Sequence, residues 1–261
     1  MNVGMLIAHL EQWFTPHLAE DWDAVGLLTG RRDDNVTKVA LAVDPTIETI
    51  EWALSEHAQF LFVHHPLFLR GTTTVDGDSA KGNVVHTAIE RGLAVYVAHT
   101  NADIARPGVS DALIEAFGVQ HAKPIRPHSS NPQFGVGRVG DLAAPTTLGE
   151  FAARVAWALP ATHSGLRWAG ATDRVVKRVA VCGGAGDDLL DEVDADVYVT
   201  SDLRHHVASE YLASNRAALI DVPHAAAESL WLQPLGHRIA ELGVSTTICP
   251  FITDPWTAHH A

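Results

Sequence analysis

Two hydrophobic rhythms alternate along the chain. In residues 4–14 apolar side chains recur three and four positions apart, which predicts an amphipathic helix. VTKVALAVD (36–44) is short, mostly apolar and β-branched, and predicts a buried strand. Pro45 then stands where a helix can begin, with Ile47, Ile50, Ala53 and Leu54 on one face of it. FLFV (60–63) predicts a second strand, VVHTAIERG (84–92) a helix stopped by Gly92, and LAVYVAHT (93–100) a third strand. VSDALIEAFG (109–118) reads as a further helix with a glycine stop. A section over 124–175 is rich in Pro, Gly, Ser and Thr, with one strand-like piece at 134–143 and one helix at 148–158. The alternation then resumes. Strands are expected at 178–182, 196–202 and 217–221, a short helix at 187–193 and another at 205–214. A long helix is expected over 224–242, and VSTTICP (244–250) closes the pattern.

The order suggests a degenerate internal repeat. VALAVDPT, FLFVHHPL and AVYVAHTNAD in the first half correspond to VAVCGGAG, DVYVTSDLRHH and ALIDVPHAAAE in the second. In each triplet the chemically capable residues fall just after the strand, at the carboxyl edge where open α/β sheets bind ligands. The expected fold class is therefore α/β, with two similar lobes facing a shared metal site. The lobes would span 1–123 and 176–261, with 124–175 as the connecting segment.

Composition narrows the chemistry. The 261 residues are 47% apolar and 19% charged, an ordinary globular balance. A net charge of −13 opposes general attraction to nucleic acid or to an anionic membrane. No apolar run approaches the roughly 20 residues that span a bilayer, and MNVGMLIAHLEQWF has no basic start, so no signal peptide is expected. Two cysteines, Cys182 and Cys249, build no disulfide framework and suit a reducing cytoplasm. The sixteen histidines are the unusual feature.

Those histidines gather with acids at strand ends: His64–His65, His99 with Asp103, Asp202 with His205–His206, and His224 with Glu228. On a helix, His224 and Glu228 share a face at spacing i, i+4. His64 and His65 would point apart in an extended chain and so serve different ions. Imidazoles and carboxylates in this number can hold two divalent ions of Zn, Mn or Fe, with His64, His65, Asp103, His224 and Glu228 as ligands. Taken alone, each cluster has an ordinary alternative. A His-His pair after a strand is commonly solvated, and His-x-x-x-Glu is commonly a wet helix face. GVGRVG (135–140) matches a dinucleotide-binding pattern, but Pro145 stands where its helix would run, so a glycine-rich strand is expected. CGGAG (182–186) can form a phosphate nest, although a tight turn explains it as well, and Cys182 reads as a core residue. The terminal HHA reads as a frayed tail.

AEDWDAVGLL (19–28), HHPL (64–67), HTNAD (99–103), SDLRHH (201–206) and PHAAAE (223–228) occur in that order. Together they resemble the GTP cyclohydrolase 1 type 2 homologues, also called the Ngg-interacting-factor-three-like family. The resemblance implies a two-lobed α/β fold, a dinuclear metal site and a toroidal homohexamer. It places the metal ligands on the same five residues, and further pocket residues on His99, Asp202 and His206. The chain departs from the common pattern at Ala24, Ser201 and Pro223. Its short middle section marks the compact form, without a large middle insertion. The implied activity is metal-dependent hydrolysis resembling GTP ring opening with formate release. His99 or His206 would shuttle the proton, and Asp202 would orient His206 or act as the base. A phosphate-bearing small molecule is the expected substrate. A phosphatase or phosphodiesterase, or a non-enzymatic metal-binding or regulatory protein, fits the same residues.

Overall fold

The computed structural model describes residues 1–214 and 216–260, so the last residue of the expected tail, Ala261, lies outside the described residues. The strands in chain order are β1 (Gly26–Thr29), β2 (Lys38–Ala42), β3 (Phe60–Val63), β4 (Ala94–Val97), β5 (Val119–Lys123), β6 (Arg126–His128), β7 (Asn131–Val136), β8 (Arg138–Thr147), β9 (Arg167–Ala169), β10 (Val175–Ala185), β11 (Val197–Ser201), β12 (Ala218–Asp221) and β13 (Ser245–Ile248). The α-helices are α1 (Val3–Trp13), α2 (Ile47–Ser55), α3 (Ala80–Glu90), α4 (Thr100–Ile104), α5 (Val109–Ala116), α6 (Leu148–Ala158), α7 (His205–Ala213), α8 (His224–Ser229) and α9 (Leu232–Ala240). The chain divides into two compact units. The first comprises Met1–Ala105 with Leu232–Thr253, and the second Arg106–Trp231 with Asp254–Ala261.

The first unit is built on a five-stranded sheet of order β1-β4-β3-β2-β13. β13, β2, β3 and β4 run parallel, and β1 closes one edge antiparallel to β4. Every residue of β3 and β4 is buried, as a parallel sheet covered on both faces requires. Alternate residues Ala40, Ala42, Leu61, Val63, Val95 and Val97 meet Ile50 and Ala53 of α2 and Val84, Val85 and Ala88 of α3 in one core. On the intervening positions Tyr96 stacks on Phe60 with ring centroids 6.0 Å apart.

The second unit carries a six-stranded sheet of order β5-β8-β10-β11-β12-β9. β10, β11 and β12 are parallel, while β8 and β9 flank them antiparallel. Period-two burial again divides the side chains. Val179, Val181, Val197, Val199, Ala218 and Ile220 pack on α5 and α6, whereas Ala180, Cys182, Tyr198 and Leu219 pack with Leu189, Leu190 and Tyr211. Each half-chain triplet thus forms three adjacent parallel strands in sequence order, and the flanking strands differ between the units.

Three features depart from the sequence reading. The expected connector 124–175 supplies β8 and β9 to the second sheet and the β6–β7 hairpin besides. Its short polar strands sit at or near sheet edges, where the apolar alternation is weak. The chain passes between units at Ala105/Arg106, at Trp231/Leu232 and at Thr253/Asp254, and β13 returns to pair with β2 in the first sheet. The expected helix over 224–242 is two helices, α8 and α9. Pro234 lacks an N–H and is tolerated only in a first turn, so the helix restarts at Leu232 and puts Pro234 there. The GVGRVG stretch ends β7 and begins β8, with Gly137 between them, as the glycine-rich strand reading expected. It wraps a buried guanidinium: Arg138 donates to the Gly135 and Gly137 carbonyls at 2.6 and 2.8 Å, and to Asp111 at 2.7 and 2.8 Å.

Candidate metal centre

In the first unit the chain turns sharply where β3 ends. The N–H groups of both His64 and His65 donate to the Val43 carbonyl, at 3.0 and 2.9 Å. Two successive N–H groups cannot reach one acceptor from an extended strand, so the rings do not diverge. Their centroids lie 5.1 Å apart, and that of His99 lies 5.2 and 5.6 Å from theirs. The three imidazoles offer ligand nitrogens within 4.8 Å of one another.

Each ring of the trio is held by its Nδ1. His64, fully buried, pairs there with the Ala98 carbonyl at 2.9 Å, His65 with Asp44 at 2.7 Å and His99 with Asp23 at 2.8 Å. Carbonyl and carboxylate oxygens only accept, so each Nδ1 is a donor, which makes Nε2 the ring nitrogen able to bind a cation. This backing is common behind metal-binding histidines. The acids are themselves braced. Asp44 accepts from the Thr253 hydroxyl, and Asp23 accepts from the Thr100 N–H at 3.0 Å and from the Thr100 hydroxyl. Burial works against the Asp23 charge, yet the His99 and Thr100 hydrogen bonds hold its carboxyl far below the ordinary carboxylate range. The turn of α4 adds Asp103. Its N–H donates to the His99 carbonyl at 3.1 Å, and its Oδ1 lies 3.7 Å from His64 Nε2.

The second unit presents His224 and Glu228 from α8. Glu228 Oε1 lies 3.0 Å from His224 Nε2, and the Glu228 side chain is buried. His224 Nδ1 donates to Asp202 at 2.7 Å, so this imidazole is backed by a carboxylate as His65 and His99 are. Asp202 therefore holds His224 rather than His206. The His206 ring is exposed on α7 and packs beside His205, with centroids 5.2 Å apart. His99, expected as a proton shuttle, stands inside the imidazole trio.

Sequence reasoning missed three residues here. Asp23 and Asp44 were visible in AEDWDAVGLL and VALAVDPT, but a single loop aspartate resembles any solvated acid. The third is Gly184 within CGGAG. It adopts φ +72°, and a Cβ there would stand 2.7 Å from Glu228 Oε1 and 3.3 Å from His224 Nε2. The Thr200 hydroxyl ties this stretch from both ends, donating to the Gly184 carbonyl and accepting from the Gly186 N–H, each at 2.9 Å. Where a tight turn was expected, CGGA is the irregular end of β10, and Gly184 makes room for the His224–Glu228 pair.

The donor set fits divalent transition ions. Neutral imidazole nitrogens and carboxylate oxygens with hydrogen-bonded backing are the ligands that Zn, Mn and Fe take. Among the described residues no helix is long and apolar enough to cross a membrane.

Known proteins resemble this chain in sequence and in fold. A Streptomyces coelicolor protein named GTP cyclohydrolase 1 type 2 homolog is 45% identical over all of this chain and 95% of its own length. A Mycobacterium tuberculosis protein of the same name is 33% identical over 372 aligned positions, covering all of this chain and 98% of the relative. That alignment exceeds the 261 residues here, so the mycobacterial relative carries added segments that this compact chain lacks. A solved Bacillus cereus protein related to NIF3 superposes with a TM-score of 0.91 over 98% of this chain and 99% of its own, at 23% identity, and shares the mixed α/β fold. The family profile described as Duf34/NIF3 (NGG1p interacting factor 3) matches residues 1–255, and the chain belongs to that family.

Proposed function

We propose that this protein is a metal-dependent hydrolase whose two ligand sets, one on each unit, serve a single dinuclear centre. His64, His65 and Asp103 would come from the first unit, with His99 beside them, and His224 and Glu228 from the second. The observation that carries this reading is the trio of imidazoles with ligand atoms within 4.8 Å of one another, each ring oriented through its Nδ1. The second unit contributes two donors, fewer than the three protein ligands usual at a catalytic zinc, which supports pooling both sets at one centre.

Bound divalent ions would supply Lewis acidity and local positive charge in a chain of net charge −13, which suits a phosphate-bearing anion. The proposed substrate class is GTP, taken from the name that the Streptomyces and mycobacterial relatives bear. The reaction would open the guanine imidazole ring with water and release its C8 carbon as formate. With its Nδ1–H held by Asp23, His99 is in this reading an orienting group or ligand rather than the proton shuttle. A homohexamer in the cytoplasm belongs to the same proposal.

Metal analysis of protein purified without chelator, followed by formate assay with GTP, tests this reading. About two divalent ions per chain and formate release support it. Turnover of simple phosphoesters with GTP untouched would replace the substrate with a phosphoester. Chains that bind no divalent ion would overturn the metal reading itself.

A further inference from the structure

Asp202 has an uncommon backbone conformation. Its φ is +60°, in the left-handed region that residues with a Cβ seldom adopt, although aspartate and asparagine do so more often than most. Such a conformation persists where neighbouring structure over-determines it. Here the neighbour is Leu203, and both of its backbone groups are gripped. The Leu203 N–H donates to Asp221 Oδ1 at 3.1 Å, and the Leu203 carbonyl accepts from Arg167 Nη2 at 3.3 Å. Arg167 Nε also donates to Asp221 Oδ2 at 2.7 Å, which closes the clamp into a ring. β12 and β9 are antiparallel neighbours, and their register sets Asp221 opposite Arg167.

We propose that Arg167 and Asp221 are positioning residues for the metal centre. Clamped at Leu203, the chain holds Asp202 in its left-handed turn, and from there Asp202 fixes the Nδ1 proton of His224. The His224 ring is thereby held with its Nε2 toward Glu228 Oε1, 3.0 Å away. The effect travels through one backbone turn and one carboxylate. The inference rests on the reading of His224 and Glu228 as metal ligands.

The test uses the full chain and Zn²⁺ alone, with affinity measured by chelator competition and Tm measured on metal-stripped protein. Asp221→Ala is expected to weaken Zn²⁺ binding about tenfold, the lower end of what outer-shell partners contribute. Asp221→Asn keeps an acceptor for the Leu203 N–H and should recover most of that loss. Arg167 is largely exposed, so Arg167→Gln removes the second grip without threatening the fold and should weaken binding in the same direction. The ¹⁵N shifts of the His224 ring should show Nδ1 protonated in the wild type and a mixture of tautomers in Asp221→Ala. Wild-type affinity and tautomer in both Asp221→Ala and Arg167→Gln would overturn the clamp. So would a loss in Asp221→Ala that tracks a lowered Tm and that Asp221→Asn does not recover. His224→Ala separates the two readings: if it too binds Zn²⁺ as the wild type does, the metal assignment fails and not only the clamp.

Discussion

Gly184 illustrates how much a single residue can decide. An alanine there meets two obstacles at once. Its φ of +72° is costly for any residue with a Cβ, by about 1 kcal/mol, and its methyl would stand 2.7 Å from Glu228 Oε1. Gly184→Ala is expected to lower Tm modestly and to cut divalent-ion content far more, read by thermal unfolding and elemental analysis of the same sample. An equal fall in both would count against the close approach as its function. The Arg138–Asp111 pair gives a second residue-scale outcome. Both side chains are buried, so Asp111→Ala leaves a guanidinium with its charge uncompensated and should cost about 3–5 kcal/mol in denaturant unfolding. Replacing both with apolar residues should cost much less. The candidate ligands were legible in the sequence, as histidine and acid recurring at successive strand ends. Asp23, Asp44 and Gly184 were not, because their roles consist of the atom they face, and that is fixed only by the fold.

At the scale of elements, local signals succeeded where they were complete. FLFV bounds β3 as expected, and α6 begins and ends at 148 and 158 as the pattern placed it. The physical basis for α6 is a capping box. Thr147 Oγ1 accepts from the Glu150 N–H at 3.3 Å, and Glu150 Oε2 accepts from the Thr147 N–H at 3.0 Å. That backbone N–H, with the Thr146 and Thr147 hydroxyls, pulls the Glu150 carboxyl from its ordinary 4.5 down to about 2. A folded pKa below the unfolded one stabilises the folded state fully above the unfolded value and is lost as pH falls through the folded value. The cap therefore contributes at pH 5 and above, and fades between about 4.5 and 2. Amide exchange at the start of α6, followed from pH 5 to pH 2, should speed up in the wild type. In Glu150→Gln it should already be fast at pH 5 and change little with pH from this source. The sequence pattern failed where an element depends on distant partners. β9 and β13 are only three and four residues long and owe their existence to β12 and β2. Pro234 was in plain view, but the apolar periodicity on both sides of it masked the break between α8 and α9.

At the scale of the whole molecule, the triplet repeat is the feature that carries from sequence to topology. Three consecutive parallel strands stand at the heart of each sheet, and each set delivers histidine and acid from the loops after its strands. What the repeat could not reveal is the routing, because β13 returns to the first sheet after the second is complete. The routing makes the first unit discontinuous, and its C-terminal segment supplies Thr253, which braces Asp44 behind His65. Ligand linkage then gives the test of a centre shared by the two units. An ion that binds only the folded chain stabilises it by RT ln(1 + [L]/Kd), about 2.7 kcal/mol at a hundredfold excess over Kd. Zn²⁺ should therefore raise the Tm of the metal-stripped wild type. If one dinuclear centre draws on both ligand sets, His64→Ala in the first unit and His224→Ala in the second should each remove most of that rise. Their double variant should then lose little more than either alone. Two independent sites would give the opposite result, with each single variant keeping about half of the shift and the double variant losing all of it. Non-additivity between residues of separate units is the signature of a shared ligand, and its absence would return the chain to two separate sites.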